Sequence, residues 1–523
     1  MNTKNRIYSR TDNTIRNITY GIIGKIISLV IPFFVQTLLI YKLGVEYSGI
    51  SSLFSSILQV LSATELGFSS AIIYSMYEPV AKNDYEQIIC KVALYKTIYK
   101  IVGSVILILG ALITPFLPHL IKGTYPSDIN IYIVFWIYLV NTVISYFGYG
   151  YKNSILIVYQ RNDLVSKSQL IANVIKGIFQ ILILHFFTNY YLFAILIPIS
   201  TLLFNLYINH LSNAYYPELN IKYSYSLNGI KDISKQIGGI AIGRISLVCR
   251  NSFDSIILSS LFGLSMTTIY SNYFFIFSSI SGFMSIIINS MSASVGNSLV
   301  TNSIDKNEED HIKFDFYYEC INSFCTICLF CLYQPFMKVW VGEKLMLSHF
   351  SMSLFCLYFY INQLSQIRSV YSEAAGLWWH FRYFSLAEMI LNLILNFYLG
   401  HYFSVNGILF STIITSFISS FIICSCITYD KLFKKSPLKY FLYNLIYFIL
   451  TLFGCYVVYG ISGLCVVKNW TSFFAKCILC GVLSGTYILI CAYFNSKTRA
   501  YIRDAIILLN RRMNMLIQKN NDL

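Results

Sequence analysis

Gln169, Asn173, Lys176 and Gln180 recur at i, i+4, i+7 and i+11, the spacing of one face of an α-helix. The residues around them, about 168–187, are otherwise mainly apolar and numerous enough to cross a bilayer. Lys176 falls near the middle of that stretch, too deep for its ammonium to snorkel out. Amides alone would serve as a hydrogen-bonded seam against a neighbouring helix. A central lysine fits a water-filled, cation-lined cavity better, because ionisable groups in a span face a cavity or another protein segment. Such a cavity would receive an anion.

A second apolar stretch, about 237–262, carries Arg244, Arg250 and Asp254. Arg250 and Asp254 are one turn apart and can pair. Lys25 and Arg244 each lie one or two turns from the end of a stretch, where snorkelling accounts for either alone; taken together they can line a basic mouth. Ser278, Gly282, Ser285, Asn289 and Ser292 form one face of a further stretch, and Asn362, Gln366, Ser369 and Glu373 another, with Arg368 nearby. Small and hydroxyl residues also let membrane helices pack closely, and packing is the default reading of both. Glu65 and Glu388 sit in the cytoplasmic halves of their stretches, and Lys476 snorkels near an outer end.

Other chemistry finds no footing. Gly24-Lys25 lacks the upstream glycine of a nucleotide-binding P-loop, and no HExxH, nucleophile elbow or dinucleotide fingerprint occurs in its required context. The expectation is a non-enzyme without cofactor or metal. Most of the 14 cysteines lie in apolar stretches. Cys325, Cys328 and Cys331 share a helical face but have no further ligands nearby, so they read as small buried thiols. Only Cys465 falls in an outer loop, which implies no disulfide framework.

The elements that must position these residues are membrane helices. Of 523 residues, 56% are hydrophobic and 12% charged, and the mean hydropathy is +0.62. Soluble domains carry roughly twice that charge. About 14 spans follow: 20–41, 47–76, 97–116, 129–149, 168–187, 190–208, 237–262, 266–292, 317–336, 350–370, 383–400, 404–427, 440–460 and 470–494. The first is too long for a signal-peptide core and no small-residue cleavage site follows it. With the N-terminus cytoplasmic, inner segments hold 26 lysines and arginines and outer loops 5, with 7 inside spans. The positive-inside rule therefore places both termini in the cytoplasm, and the net charge of +15 reflects that bias rather than nucleic-acid binding. The tail, 497–523, alternates apolar residues with arginines, as either an amphipathic surface helix or a frayed solvated end.

The chain also repeats. At a fixed offset of 219 residues, Ile23-Gly24-Lys25-Ile26 meets Ile242-Gly243-Arg244-Ile245, Phe34 meets Phe253, Leu39 meets Leu258, Leu43-Gly44 meets Phe262-Gly263 and Ile50 meets Ile269. Six spans separate the copies, so both run the same way. The pattern predicts two parallel six-helix lobes, 1–220 and 221–430, around a central cavity, with 431–523 supplying two additional helices and the tail.

From Leu43-Gly44-Val45-Glu46-Tyr47-Ser48-Gly49 onward, through Ser51-Ser52-Leu53-Phe54, Ala63-Thr64-Glu65-Leu66-Gly67-Phe68 and Met76-Tyr77-Glu78-Pro79-Val80-Ala81, the sequence resembles the polysaccharide or O-antigen (Wzx-type) flippases. These belong to the superfamily that also holds peptidoglycan-precursor flippases and multidrug antiporters. Asp254-Ser255-Ile256-Ile257-Leu258, Ser294-Val295-Gly296-Asn297, Trp340-Val341-Gly342, Ala375-Gly376-Leu377-Trp378, Glu388, Asn392, Gly407 and Thr412 continue the likeness over nearly the whole chain. The family's pattern has a neutral residue where this chain has Arg250. The resemblance implies an all-α integral protein of a bacterial cytoplasmic membrane, with lobes that rock to move a polyprenyl-pyrophosphate-linked oligosaccharide outward. It also implies membrane lipids, a polysaccharide polymerase and chain-length machinery as partners. On that reading Lys25 and Arg244 draw in the pyrophosphate, and Lys176 and Arg250 hold it deeper beside Gln169, Asn173, Gln180 and Asp254. The rival readings are a cation-coupled multidrug exporter of the same fold and a membrane-embedded polymerase or ligase.

Overall fold

The computed structural model describes residues 10–219, 230–494, 498–503 and 507; most of the arginine-bearing tail lies outside them. The described chain is almost entirely helical. In order the helices are α1 (Arg10–Lys42), α2 (Val45–Ser62), α3 (Leu66–Ala81), α4 (Tyr85–Ile113), α5 (Ile131–Phe147), α6 (Asn153–Val158), α7 (Asn162–Phe186), α8 (Tyr190–Tyr215) and α9 (Ile230–Phe262). There follow α10 (Leu264–Thr301), α11 (Ile304–Trp340), α12 (His349–Leu364), α13 (Gln366–Ala374), α14 (Trp378–Phe403), α15 (Val405–Ser416), α16 (Cys424–Thr428), α17 (Leu438–Ser462) and α18 (Trp470–Phe494). Turns of π-helix join α15 to α16 and carry it on to Phe433.

Among the described residues, 11 helices are long and apolar enough to cross a membrane, and the bent pair Ile131–Phe147 and Gly150–Val158, at 52°, makes up to 12. The other two expected spans, 47–76 and 350–370, are broken helices. α2 ends at Ser62 and a 3-10 turn, Ala63–Glu65, precedes α3. α12 ends at Leu364, whose carbonyl oxygen accepts from the Tyr440 hydroxyl at 3.1 Å. In each case one helix stops and another starts, so a sequence window reads a single span where the backbone has a joint.

The helix starts repeat as the sequence does. α2 and α10 begin 219 residues apart, α4 and α11 219, α5 and α12 218, α7 and α14 216, and α8 and α15 215. The glycines matched at that offset do the same backbone work. Gly44, before α2, has φ +125° and Gly263, before α10, has φ +83°, a region that side chains with a Cβ rarely adopt.

By internal contacts the chain divides into two compact units, Met1–Phe275 with Phe381–Ile408, and Ile276–His380 with Leu409–Leu523. In the first, α1 packs on α7, α7 on α8, α5 on α8, and α9 on α2 and α3. In the second, α11 is the hub, packing on α12, α17 and α18.

The polarity of the helices is that of a protein dissolved in lipid. On α14 the buried residues are Glu388, Asn392, Asn396 and Gly400, whereas Ile390, Leu391, Ile394, Phe397 and Tyr398 are exposed. A water-soluble helix does the reverse. In hydrocarbon, polar side chains must find partners inside and apolar ones can face out.

Candidate functional site

The first unit holds an open cavity of about 600 Å³. Fifteen of its twenty lining residues carry polar or ionisable side chains, so it is hydrophilic although its helices are apolar outside. Each wall follows from helical spacing. α5 contributes Asn141 and Ser145, and α8 contributes Thr201 and Asn205, each pair one turn apart. The two faces are joined by the Thr201 hydroxyl donating to Asn141 Oδ1 at 2.7 Å and by Asn205 Nδ2 donating to Ser145 Oγ at 3.0 Å.

Gln169, Asn173 and Lys176 line this cavity from α7, with Gln169 Nε2 donating to Asn173 Oδ1 at 3.3 Å. No hydrogen bond or ion pair holds the Lys176 ammonium among the described residues. Gln180, one turn further on, is buried and donates to the Phe193 carbonyl of α8 at 3.5 Å. The expected polar face thus splits, with three residues on the cavity and the fourth on the α7–α8 seam. The crossing of α7 with α1 is close at Gly177, where an added Cβ would stand 2.1 Å from Ile31 Cγ2.

Opposite in charge is Glu65, in the 3-10 turn between α2 and α3. Its carboxylate also lines the cavity. It accepts from the hydroxyls of Tyr99 and Tyr146 and, at 3.1 Å, from Ser69 Oγ. The Tyr95 hydroxyl lies 2.7 Å from Ser69 Oγ and 3.1 Å from the Tyr99 hydroxyl, and its single proton serves one of them at a time. Three hydroxyl donors hold this carboxylate in place, while Lys176 is left to whatever fills the cavity.

The remaining expected residues lie elsewhere. Arg250 is buried and forms an ion pair with Glu388 of α14. Asp254 is buried and accepts from the Tyr270 hydroxyl and from Asn396 Nδ2, both at 2.7 Å. Asn396 Nδ2 also donates to Asn392 Oδ1 at 3.1 Å. The polar stripe of α14 therefore receives the charged face of α9, and neither Arg250 nor Asp254 lines the cavity. Lys25 is half-buried on α1 and Arg244 is exposed on α9; neither lines the cavity. In the second unit Arg368 is buried and donates to the Ser420 carbonyl at 2.8 Å.

Sequence reasoning missed the α5 and α8 walls. Their signal was present as hydroxyl and amide residues at i, i+4 within apolar runs, but such pairs are also the ordinary mark of helix packing.

At the level of sequence the chain matches no family profile and no curated protein. Its fold does have counterparts. The lipid II flippase MurJ, in an inward closed conformation, superposes with a TM-score of 0.59 at 16% identity, over 91% of this chain and 99% of that one. An inward-facing multidrug resistance MATE family transporter of the MOP superfamily gives 0.56 at 13% identity, over 74% and 91%. A MOP superfamily transporter from Pyrococcus furiosus gives 0.52 at 14% identity, over 79% and 95%. At these identities the likeness is one of architecture: this chain is an all-α, multi-pass membrane protein with the fold that these transporters share.

Proposed function

We propose that the protein is a flippase that moves a polyprenyl-pyrophosphate-linked oligosaccharide from the cytoplasmic to the outer leaflet, for surface polysaccharide synthesis such as O-antigen or capsule. The observation that carries this reading is the hydrophilic cavity with Lys176 unpaired in its wall. Hydroxyls and amides suit the many weak hydrogen bonds of a glycan. A lone ammonium in low dielectric suits a phosphate, since the attraction between opposite charges grows as water is excluded. Segments 1–220 and 221–430 act as rocking lobes, with 431–523 as an addition. Lys25 and Arg244 attract the pyrophosphate at a cytoplasmic mouth and Lys176 holds it deeper. Gln169 and Asn173 contact the sugar, and Gln180, Arg250 and Asp254 position the helices that bear the site. Both termini lie on the cytoplasmic side of the bacterial inner membrane. A polymerase and chain-length machinery receive the product.

A multidrug exporter of the same fold would present acids free to bind cationic drugs. The one carboxylate lining this cavity, Glu65, already accepts from three hydroxyls. Reconstitution of the purified protein with defined lipid-linked sugars, under imposed proton and sodium gradients, tests the assignment. Flipping of a lipid-linked oligosaccharide supports it. Transport of cationic dyes with no flipping of any lipid-linked sugar refutes it.

A further inference from the structure

Asp315 and Glu319 stand one turn apart on α11 in the second unit and are 2% and 1% exposed. Among the described residues no salt bridge reaches either. Their amide donors are two asparagines, and the Tyr360 hydroxyl of α12 faces Glu319. Asn444 Nδ2, from α17, donates to Asp315 Oδ2 at 3.1 Å and to the Tyr440 carbonyl at 3.0 Å. Asn322 Nδ2, one turn beyond Glu319, donates to Glu319 Oε2 at 3.2 Å and to the Tyr360 carbonyl of α12 at 3.3 Å. With these donors used, Asp315 Oδ1, Asn322 Oδ1 and Asn444 Oδ1 remain buried acceptors that receive no hydrogen bond, and the Thr326 hydroxyl, a further turn along the same face, also has no partner.

Among the described residues no cation forms an ion pair with either acid; Lys313, on α11 two residues from Asp315, stands over the Tyr501 ring at 5.6 Å. On α11 itself the nearby titratable groups are His311, Tyr318 and Cys320. α12 brings Tyr360, α17 brings Tyr440 and Tyr447, and the turn after α16 brings Tyr429. The cation of this region, Arg368 of α13, faces His311 and Tyr440 and donates to Ser420 and Ser372. A buried charge needs a partner, and two neighbouring carboxylates do not both stay ionised without one. A cavity of about 110 Å³ reaches Glu319, which lines it together with Ser323, Tyr447, Thr451 and Tyr487, between α11, α17 and α18.

We infer that Asp315 and Glu319 form a proton-binding site, sharing one proton where α11 meets α12 and α17, with the small cavity as its approach. The asparagines separate a proton from a metal ion. Both turn an N–H toward a carboxylate and are fixed in that sense by a backbone carbonyl, whereas a sodium ion held between amide and acid would need the amide oxygens to face inward. Asp315 Oδ1 still lacks a donor, and a carboxyl O–H shared with Glu319 provides one. Loading and release of this proton changes which oxygens donate and accept between α11 and α17, so the site can couple proton movement to helix packing. The coupling rests on the transport reading above; the binding does not.

Infrared difference spectroscopy on the full-length protein in lipid, between about pH 6 and pH 9, tests the binding directly, because exposed carboxylates remain ionised throughout that window. The wild type should gain a protonated-carboxyl C=O band at the lower pH. Asp315→Asn and Glu319→Gln should each lose at least half of it, and sodium added at constant pH should leave it unchanged. Glu319→Asp, which keeps the acid and covers the case in which an amide variant fails to fold, should shift the band. A band absent from the wild type, or one unmoved in all three variants, overturns the inference. A band abolished by sodium overturns the proton assignment in favour of a sodium site. A failed flipping assay would refute the transport reading and leave this result standing.

Discussion

Lys176 and Arg250 show how much the role of a cation in a membrane helix depends on what stands opposite it. Both lie deep in apolar helices. The Arg250 guanidinium has a carboxylate, Glu388, in direct contact; the Lys176 ammonium has an open polar cavity. Removing Lys176 takes away a costly charge without stranding a partner. On the proposed flippase reading, Lys176→Ala should therefore lower export of the lipid-linked glycan at near-normal abundance. Lys176→Arg should keep part of the activity, because the charge remains and only donor geometry changes, and Lys176→Glu should be worse than alanine, through repulsion of an anionic head group. Surface glycan in cells lacking the native protein, beside an immunoblot of the membrane fraction, measures both quantities. Unchanged export in the alanine and glutamate variants would take Lys176 off the substrate path. Arg250 should behave in the opposite way. Arg250→Met alone leaves the Glu388 carboxylate buried without its partner, a loss of about 3–5 kcal/mol, and the double variant Arg250→Met, Glu388→Gln should recover much of it. Thermal unfolding in detergent reads this out; a single variant that melts with the wild type would refute the pairing as a stabilising contact.

Among the helices, what could be read from sequence was periodicity. The face of α7 was legible because Gln169, Asn173 and Lys176 keep helical register in an apolar run, and all three line the cavity. What periodicity leaves open is which neighbour a face meets. Gln180 keeps the same register yet hydrogen-bonds to the α8 backbone, and Arg250, one turn from Asp254, pairs with a residue 138 positions away. Nor does hydropathy register a joint. The break between α12 and α13 sits where a tyrosine from a distant helix takes the Leu364 carbonyl. The Asp315–Glu319 pair escaped notice because the expected span began at residue 317, whereas α11 begins at Ile304 and carries both acids on one continuous face. Close helix crossings are also tertiary facts, and one gives a direct test. At Gly177, where α7 meets α1, an added methyl group would collide with Ile31 Cγ2. Gly177→Leu should destabilise by about 1–3 kcal/mol, as overpacking does, and Ile31→Ala in the same chain should relieve part of it. Unfolding in detergent is again the measurement. Equal stability of Gly177→Leu and wild type would mean the helices separate there at no cost.

For the molecule as a whole, sidedness decides whether the site can meet its substrate. A lipid-linked sugar assembled in the cytoplasm must enter from that side, so Lys25 and Arg244 can capture it only if the ends of α1 and α9 nearest to them face inward. Two independent features agree on the alternation. One is the lysine and arginine count, 26 on expected inner segments against 5 on outer loops. The other is which loops touch. In the first unit the Lys122 backbone N–H, in an expected outer loop, donates to the Ser259 carbonyl, at the expected outer end of α9, at 2.9 Å. In the second unit Lys435, in an expected inner segment, pairs with Asp305 at 2.6 Å and with Glu308, both in another inner segment. Loops given the same side by charge are thus joined by contact. A protease site inserted at exposed Ser127 should be cut from outside intact cells, and one inserted at exposed Ser436 only after the membrane is permeabilised; fragment sizes on an immunoblot separate the two. Cleavage at Ser436 in intact cells with protection at Ser127 would invert the whole order, because all spans alternate together. Lys25 and Arg244 would then stand at the outer face, where no cytoplasmic pyrophosphate could reach them first, and the outward direction of transport would fall with them.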